Sequence, residues 1–227
     1  ITALAGAFYK GIPGKRGAMD VDALAHTIRS ATRQNFGTAL VCMETSHNRA
    51  GGAVLPLDHM RRVHDVASKH GVPVHIDGAR VFNAAAHLAV EPDEIARHGD
   101  SICFCVSKGL SAPVGSLLCG SDDFIERARA FRRMVGGNMR QAGPLAAAGI
   151  MALGTMTGRL GQGHVTAKWL GEGLHRIDPS LADPALVDTN IVKVGLPAQG
   201  PDAAAWSGAL AKQNIRVRPA ERYALRF

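Results

Sequence analysis

Aromatic residues make up only 5% of this 227-residue chain, and acidic and basic residues together only 20%. The low charge argues against disorder, because apolar residues recur throughout and can bury a core. No apolar run approaches the roughly 18 to 20 residues that a membrane span needs. The opening ITALAGAFYKGIPGKRG has no initiator Met and no basic stretch ahead of its apolar residues, so it does not read as a signal peptide. It reads as a chain entered midway. There are only four cysteines, Cys42, Cys103, Cys105 and Cys119, and none has the CxxC spacing of a zinc or redox site. Lying in apolar runs, they are expected to be buried free thiols of a cytosolic protein. The net charge of +7 does not identify a nucleic-acid binder, since the 26 Lys and Arg are scattered and no RNA-binding motif is present. It suits a protein that meets anionic small molecules.

What is present is a strand–helix rhythm. Three apolar runs ending in polar residues, 38-TALVCMET-45, 72-VPVHIDGA-79 and 101-SICFCVSK-108, read as buried parallel strands. Met60, Val63, Val66 and Ala67 recur at helical spacing over 57–71, and Asp93 is the candidate cap of a shorter helix over 93–99. After Lys108 the return to 115-GSLLCG-120 is so short that this strand should run antiparallel to its predecessor. Helices are expected over 122–135 and about 140–153. From Leu186 onward, 189-TNIVKVGL-196, a helix over 201–213, 215-IRVRPA-220 and 223-YALRF-227 suggest a small α+β unit. The fold class is therefore α/β, with a mostly parallel sheet and a small C-terminal domain.

Open α/β sheets bind ligands at the carboxyl ends of their strands. That edge carries Glu44, His47, Asp77, Arg80 and Lys108. Asp77 could equally cap a turn, and His47 could cap or pack. His75 and Asp77 lack the third ligand that a metal site would need. Lys108 is harder to explain as ordinary surface, because it follows Cys103–Phe104–Cys105–Val106 and precedes a tight turn. A desolvated lysine is nucleophilic, as bonding to a carbonyl cofactor requires. Pyridoxal phosphate needs such an amine and a carboxylate at its ring nitrogen, and Lys108 and Asp77 end neighbouring strands.

Taken together, 75-HIDGARVFNAA-85, 104-FCVSKGLSAPVGS-116, 136-GGNMRQAG-143 and 43-METSHNRAGGAVLPLD-58 resemble the low-specificity L-threonine aldolases, fold-type I pyridoxal-phosphate enzymes of the threonine aldolase and beta-eliminating lyase family. The resemblance implies that Lys108 holds the cofactor through its amine and that Asp77 pairs with the pyridinium nitrogen. It places Arg80 near cofactor and substrate carboxylate, His47 near the β-hydroxyl, and Arg226 on the substrate carboxylate. Arg133 and Arg140 would reach the phosphate region of a neighbouring subunit in a homotetramer. Arg133 stands where the family usually has Lys, Asn138 where it has a third glycine, and Ser46 where it has Thr. The family's N-terminal phosphate loop and ring-stacking aromatic have no counterpart here, so a partial large cofactor domain is expected over 1–140. An interdomain helix and a partial small domain would follow over 141–227. The implied reaction is cleavage of L-threonine, L-allo-threonine and related β-hydroxy-α-amino acids to glycine and an aldehyde, in the cytoplasm and without nucleic-acid or membrane partners. A β-eliminating lyase acting on another amino acid, and a non-catalytic interaction module, are the alternatives.

Overall fold

The computed structural model describes residues 2–34 and 36–227. A short helix α1 (Thr2–Ala5) precedes a hairpin of β1 (Gly14–Lys15) and β2 (Ala18–Met19). Its two-residue turn, Arg16–Gly17, has φ of +54° and +86°. Positive φ at both positions matches the right-handed twist of the strands it joins. The helix α2 (Val21–Thr27) follows, its first amides held by the Asp20 carboxylate.

Next come β3 (Val41–Glu44), α3 (Leu57–Lys69), β4 (Val74–Asp77), α4 (Val81–Leu88), α5 (Pro92–Ala96), β5 (Ser101–Cys105) and β6 (Ser116–Gly120). The strands form one sheet in the order β3-β4-β5-β6. The first three are parallel, with Glu44 opposite Asp77 and Asp77 opposite Cys103. β6 is antiparallel to β5, as the short return requires. One face of the sheet carries Val41, Met43, Val74, Ile76 and Ile102, buried against α2, α3, α4 and α5. α3 contributes Met60, Val63 and Ala67 at helical spacing.

The opposite face is different. Cys42 and Asp77 are exposed there, and His75 and Cys103 are half-buried. This overturns the expectation of buried thiols: all four cysteines are free, but Cys42 and Cys119 are exposed and Cys103 and Cys105 only partly covered. Alternation along β3, β4 and β5 sends successive side chains to opposite faces, of which only one is packed by helices, and β6, which carries Cys119, is exposed along its length. Asp93 is also not a cap. Glu91 precedes α5, with Pro92 in its first turn.

The chain continues through α6 (Asp122–Met134), α7 (Gly143–Thr155) and α8 (Leu160–Ile177). It ends in an antiparallel sheet of β7 (Lys193–Gly195), β8 (Arg218–Glu221) and β9 (Ala224–Arg226), ordered β7-β9-β8. With α9 (Ala203–Ala211), this sheet buries Val192, Val194, Ala203 and Leu225 against Ala167 of α8. Among the described residues, no helix is long and apolar enough to cross a membrane.

Polar contacts tie the small sheet's approach segment to the large one. Asp188 accepts from both the Arg16 guanidinium (2.7 Å) and the Val54 amide (3.0 Å). The buried Thr189 hydroxyl donates to the Gly52 carbonyl at 3.0 Å. A Cβ on Gly52 would lie 2.3 Å from that hydroxyl, so the close approach needs glycine there.

Two predictions follow from this packing. A Cβ on Gly17 would lie 2.6 Å from both Cβ and Cγ of His47, at a φ that strains any other residue. Gly17→Ala should therefore lower stability by about 1–3 kcal/mol in denaturant unfolding. Part of that loss should disappear in a His47→Ala background, where the ring is gone; strictly additive losses would refute the contact. The second concerns pH. His59, His75, His98 and His164 are all held below the ordinary imidazole value of 6.5, chiefly by burial of the ring. The unfolded chain thus binds more protons than the folded one just below that value, so stability is full above it and is lost as pH falls. The unfolding midpoint should drop between about pH 7.5 and about pH 5.5, and His75→Gln should flatten the slope. A midpoint constant over that range would contradict the shifts.

Candidate active site at the carboxyl edge of the sheet

Each parallel strand runs out of apolar residues at the same level and ends in chemistry. β3 ends in Glu44 and turns through Thr45–Ser46 to His47, while β4 ends in Asp77 and leads through Gly78–Ala79 to Arg80 at the start of α4. β5 ends at Cys105, and Lys108 follows three residues later in a bend whose carbonyl accepts from the Ser111 amide. The sheet pairing brings Glu44, Asp77 and the Lys108 loop to one edge in that order.

Lys108 is exposed, contrary to the burial expected from its neighbours. The physical reason is that strand pairing with β6 stops at Cys105, so Ser107 and Lys108 project past the sheet. Gly109 and Leu110 then return the chain to the interior, with Leu110 buried. Among the described residues, the Lys108 side chain forms no hydrogen bond or ion pair, which leaves its amine uncommitted.

Asp77 does perform the turn contact considered for it: Oδ1 accepts the Ala79 amide at 3.1 Å, with the Cys103 thiol 3.9 Å away. Its charge reaches further. Burial, followed by Asp77, pushes the Cys42 and Cys103 thiols up, and Asp77 opposes the burial that lowers His75. Arg80 is half-buried, and its guanidinium is shifted below its usual value first by desolvation and then by repulsion from Arg226. Glu44, Cys105 and Asp77 offset part of that shift. Arg80, at the start of α4, and Arg226, on β9, therefore share one neighbourhood.

His47 is fixed on three sides. The Ala50 amide donates to Nδ1 at 3.1 Å, Nε2 lies 3.6 Å from Glu44 Oε2, and Gly17 lies against the ring. Because Nδ1 accepts a hydrogen bond, a neutral ring carries its proton on Nε2. Glu44 Oε1 takes the Asn48 amide at 2.9 Å, and Asn48 Oδ1 takes Arg226 at 2.7 Å. The Ser46 hydroxyl is buried and unpartnered among the described residues, an unmet polar group in the turn beside His47.

Of the residues read from the sequence, Lys108, Asp77, Arg80, His47 and Arg226 come to this edge. Arg133 and Arg140 do not join them. Arg133 is exposed in the last turn of α6 and Arg140 is exposed in the connection to α7. Gly17, Glu44 and Asn48 complete the site; Asn48 lay inside the stretch 43–58 but was given no role there, and Gly17 carried no signal, because their contacts arise only in the fold. An uncommitted amine, a carboxylate on the adjacent strand and paired arginines are the donor set that the ring and carboxylate end of a pyridoxal cofactor–amino acid pair requires, so the residues present fit that group.

Comparison with known proteins gives the chain a family. The profile of the family described as Beta-eliminating lyase matches residues 1–196. The probable low-specificity L-threonine aldolase 2 of Arabidopsis thaliana is 41% identical over 183 residues, covering 80% of this chain and 52% of that protein. The low specificity L-threonine aldolase of Escherichia coli K12 is 37% identical over 201 residues, covering 88% and 58%. This chain thus spans little more than half the length of these relatives. Among solved structures, a putative L-allo-threonine aldolase from Listeria monocytogenes superposes with a TM-score of 0.73 at 18% identity, over 95% of this chain and 60% of that one. A PLP-dependent aminotransferase from Streptococcus suis gives 0.71 at 16% identity, over 92% and 55%. The architecture is that of fold-type I enzymes, and the chain belongs to the beta-eliminating lyase family.

Proposed function

We propose that the protein is a pyridoxal-phosphate-dependent lyase that cleaves L-threonine, L-allo-threonine and related β-hydroxy-α-amino acids to glycine and an aldehyde. The observation that carries this reading is the placement of Asp77 and Lys108 at the carboxyl ends of adjacent parallel strands, beside the Arg80–Arg226 pair. Lys108 holds the cofactor through its amine, and Asp77 keeps the proton on its ring nitrogen. When bound, the cofactor supplies the sink for the electrons released as the Cα–Cβ bond of the substrate breaks. Arg226 and Arg80 bind and orient the substrate carboxylate.

The β-hydroxyl proton must also leave. His47 Nε2 carries a proton in the neutral ring and faces Glu44, so the ring orients a water that takes the β-hydroxyl proton and passes it to the neighbouring Glu44 carboxylate. The large exposed apolar residues of α6 and its continuation, Phe131, Met134, Val135 and Met139, suit burial against a second copy. The reading includes a homotetramer in the cytoplasm, with Arg133 and Arg140 reaching a neighbouring site, and a division into a cofactor domain over 1–140 and a smaller one over 141–227. The family description favours one second reading, β-elimination from another amino acid. Equimolar glycine and aldehyde from threonine would exclude it.

The test uses protein expressed from its complete coding region. After borohydride reduction with pyridoxal phosphate, the phosphopyridoxyl group should be found on Lys108, and Lys108→Ala should fold but not turn over. Modification of Lys69 or Lys168 instead would sink the assignment. Asp77→Asn keeps the shape and the Ala79 contact while removing the charge, and it should slow cleavage by at least about two orders of magnitude. A nearly unchanged rate would reduce Asp77 to its turn contact.

A further inference from the structure

Arg226 is held by a neutral acceptor rather than by a carboxylate. Its NH1 donates to Asn48 Oδ1 at 2.7 Å in a partly buried contact. A guanidinium can only donate, so the amide oxygen must face it. Among the described residues, Arg226 has no carboxylate within ion-pair distance. The nearby acids are committed elsewhere: Glu44 to the Asn48 amide and the His47 ring, Asp77 to the Ala79 amide. Arg16 offers a contrast within the same chain. It is oriented by the carboxylate of Asp188 at 2.7 Å, and that contact serves structure.

The difference has a chemical consequence. A carboxylate partner fixes a guanidinium but cancels much of its attraction for an incoming anion. A neutral amide oxygen fixes it just as well in geometry and leaves the charge in place. Asn48 is itself held, since its backbone amide donates to Glu44 Oε1 at the end of β3. Orientation therefore passes from the large sheet through Asn48 to a side chain on β9 of the small one. We propose that Asn48 is the positioning residue of Arg226, holding the substrate-carboxylate arginine in place with a neutral acceptor so that its charge stays available. This rests on the reading above, that Arg226 meets the substrate carboxylate.

The decisive substitution is Asn48→Asp, which keeps the shape and strengthens the hydrogen bond but adds the cancelling charge. In the cofactor-loaded protein it should raise KM for L-threonine, and the Kd for glycine measured by calorimetry, by at least about tenfold, a loss typical of one charged contact. The thermal unfolding midpoint should stay equal or rise. Asn48→Ala loses orientation but not charge, so its effect on both constants should be smaller, about threefold. In an Arg226→Gln background, neither Asn48 variant should change KM or Kd further. A purely structural link would give the reverse order, with Asp tolerated and Ala costly in stability, and that result would overturn the proposal. Additive effects in the Arg226→Gln background would overturn it too, and Asn48→Ala supplies that cycle if the Asp variant does not fold. If Arg226→Gln alone leaves KM and Kd unchanged, the assignment of Arg226 fails instead.

Discussion

The parallel pairing that sets Glu44 beside Asp77 and Asp77 beside Cys103 is the constraint on which the polar edge depends. The helix-covered face of the strands must be apolar, whereas the open face and the strand ends can carry polar groups. Because the three strands are in register, they run out together. Glu44, Asp77 and the loop carrying Lys108 therefore reach solvent at one level, although more than sixty residues separate the first from the last. A slip of one residue in β4 would turn Asp77 to the core face and Ile76 to the open one. Site geometry and core burial are thus enforced by the same register.

The second requirement is that the small sheet come close enough to lend Arg226. That approach is held by polar contacts: Asp188 with Arg16 and Val54, Thr189 with Gly52, and Asn190 with the buried Asn83. Asn83 donates to Asn190 at 3.2 Å and lies 3.0 Å from His164 Nε2, linking α4, α8 and the segment before β7. A Cβ on Gly109, next to Lys108, would lie 3.2 Å from Asn83 Oδ1 and 2.9 Å from Leu160. The lysine loop, the start of α8 and the approach to the small sheet are therefore packed on one another, so movement of one must be felt by the others.

The strand ends were legible in the sequence because apolar runs and their polar stops are local signals. β3, β4 and β5 fall inside the stretches read as strands, and the short return predicted the antiparallel β6. Four helices, α1, α2, α4 and α8, were not read from the sequence. α4 lacks a polar face, since Val81, Asn83, Ala84 and Ala85 are all buried, and α8 carries Gly161, Gly163, Gly171 and Gly173. Glycine weakens a helix locally, yet Gly171 is buried against Val187, where tertiary packing outweighs propensity. The exposure of Lys108 and Cys42 was hidden for another reason. An apolar run does not reveal that only one face of its sheet is packed. Gly17 meets His47 from 30 positions away and Asn48 meets Arg226 from 178 positions away, and pairings at such separations cannot be read from a motif.

Charge explains why this edge suits an anion. Arg80 is desolvated and also repelled by Arg226, and both effects disfavour its charged form. Two guanidiniums held near one another in partial burial raise the energy of the empty arrangement, and Glu44 and Asp77 offset only part of that cost. An incoming carboxylate relieves the remainder, so the repulsion becomes part of its binding energy. The same logic limits where the acids can sit. A carboxylate directly on Arg226 would satisfy the arginine without substrate, whereas Asn48 orients it and leaves the imbalance standing. Glu44 is turned toward His47 and the Asn48 amide, and Asp77 toward the Ala79 amide, so the two acids are committed to different partners. The edge thereby combines two guanidiniums held close together with two carboxylates that offset only part of their repulsion.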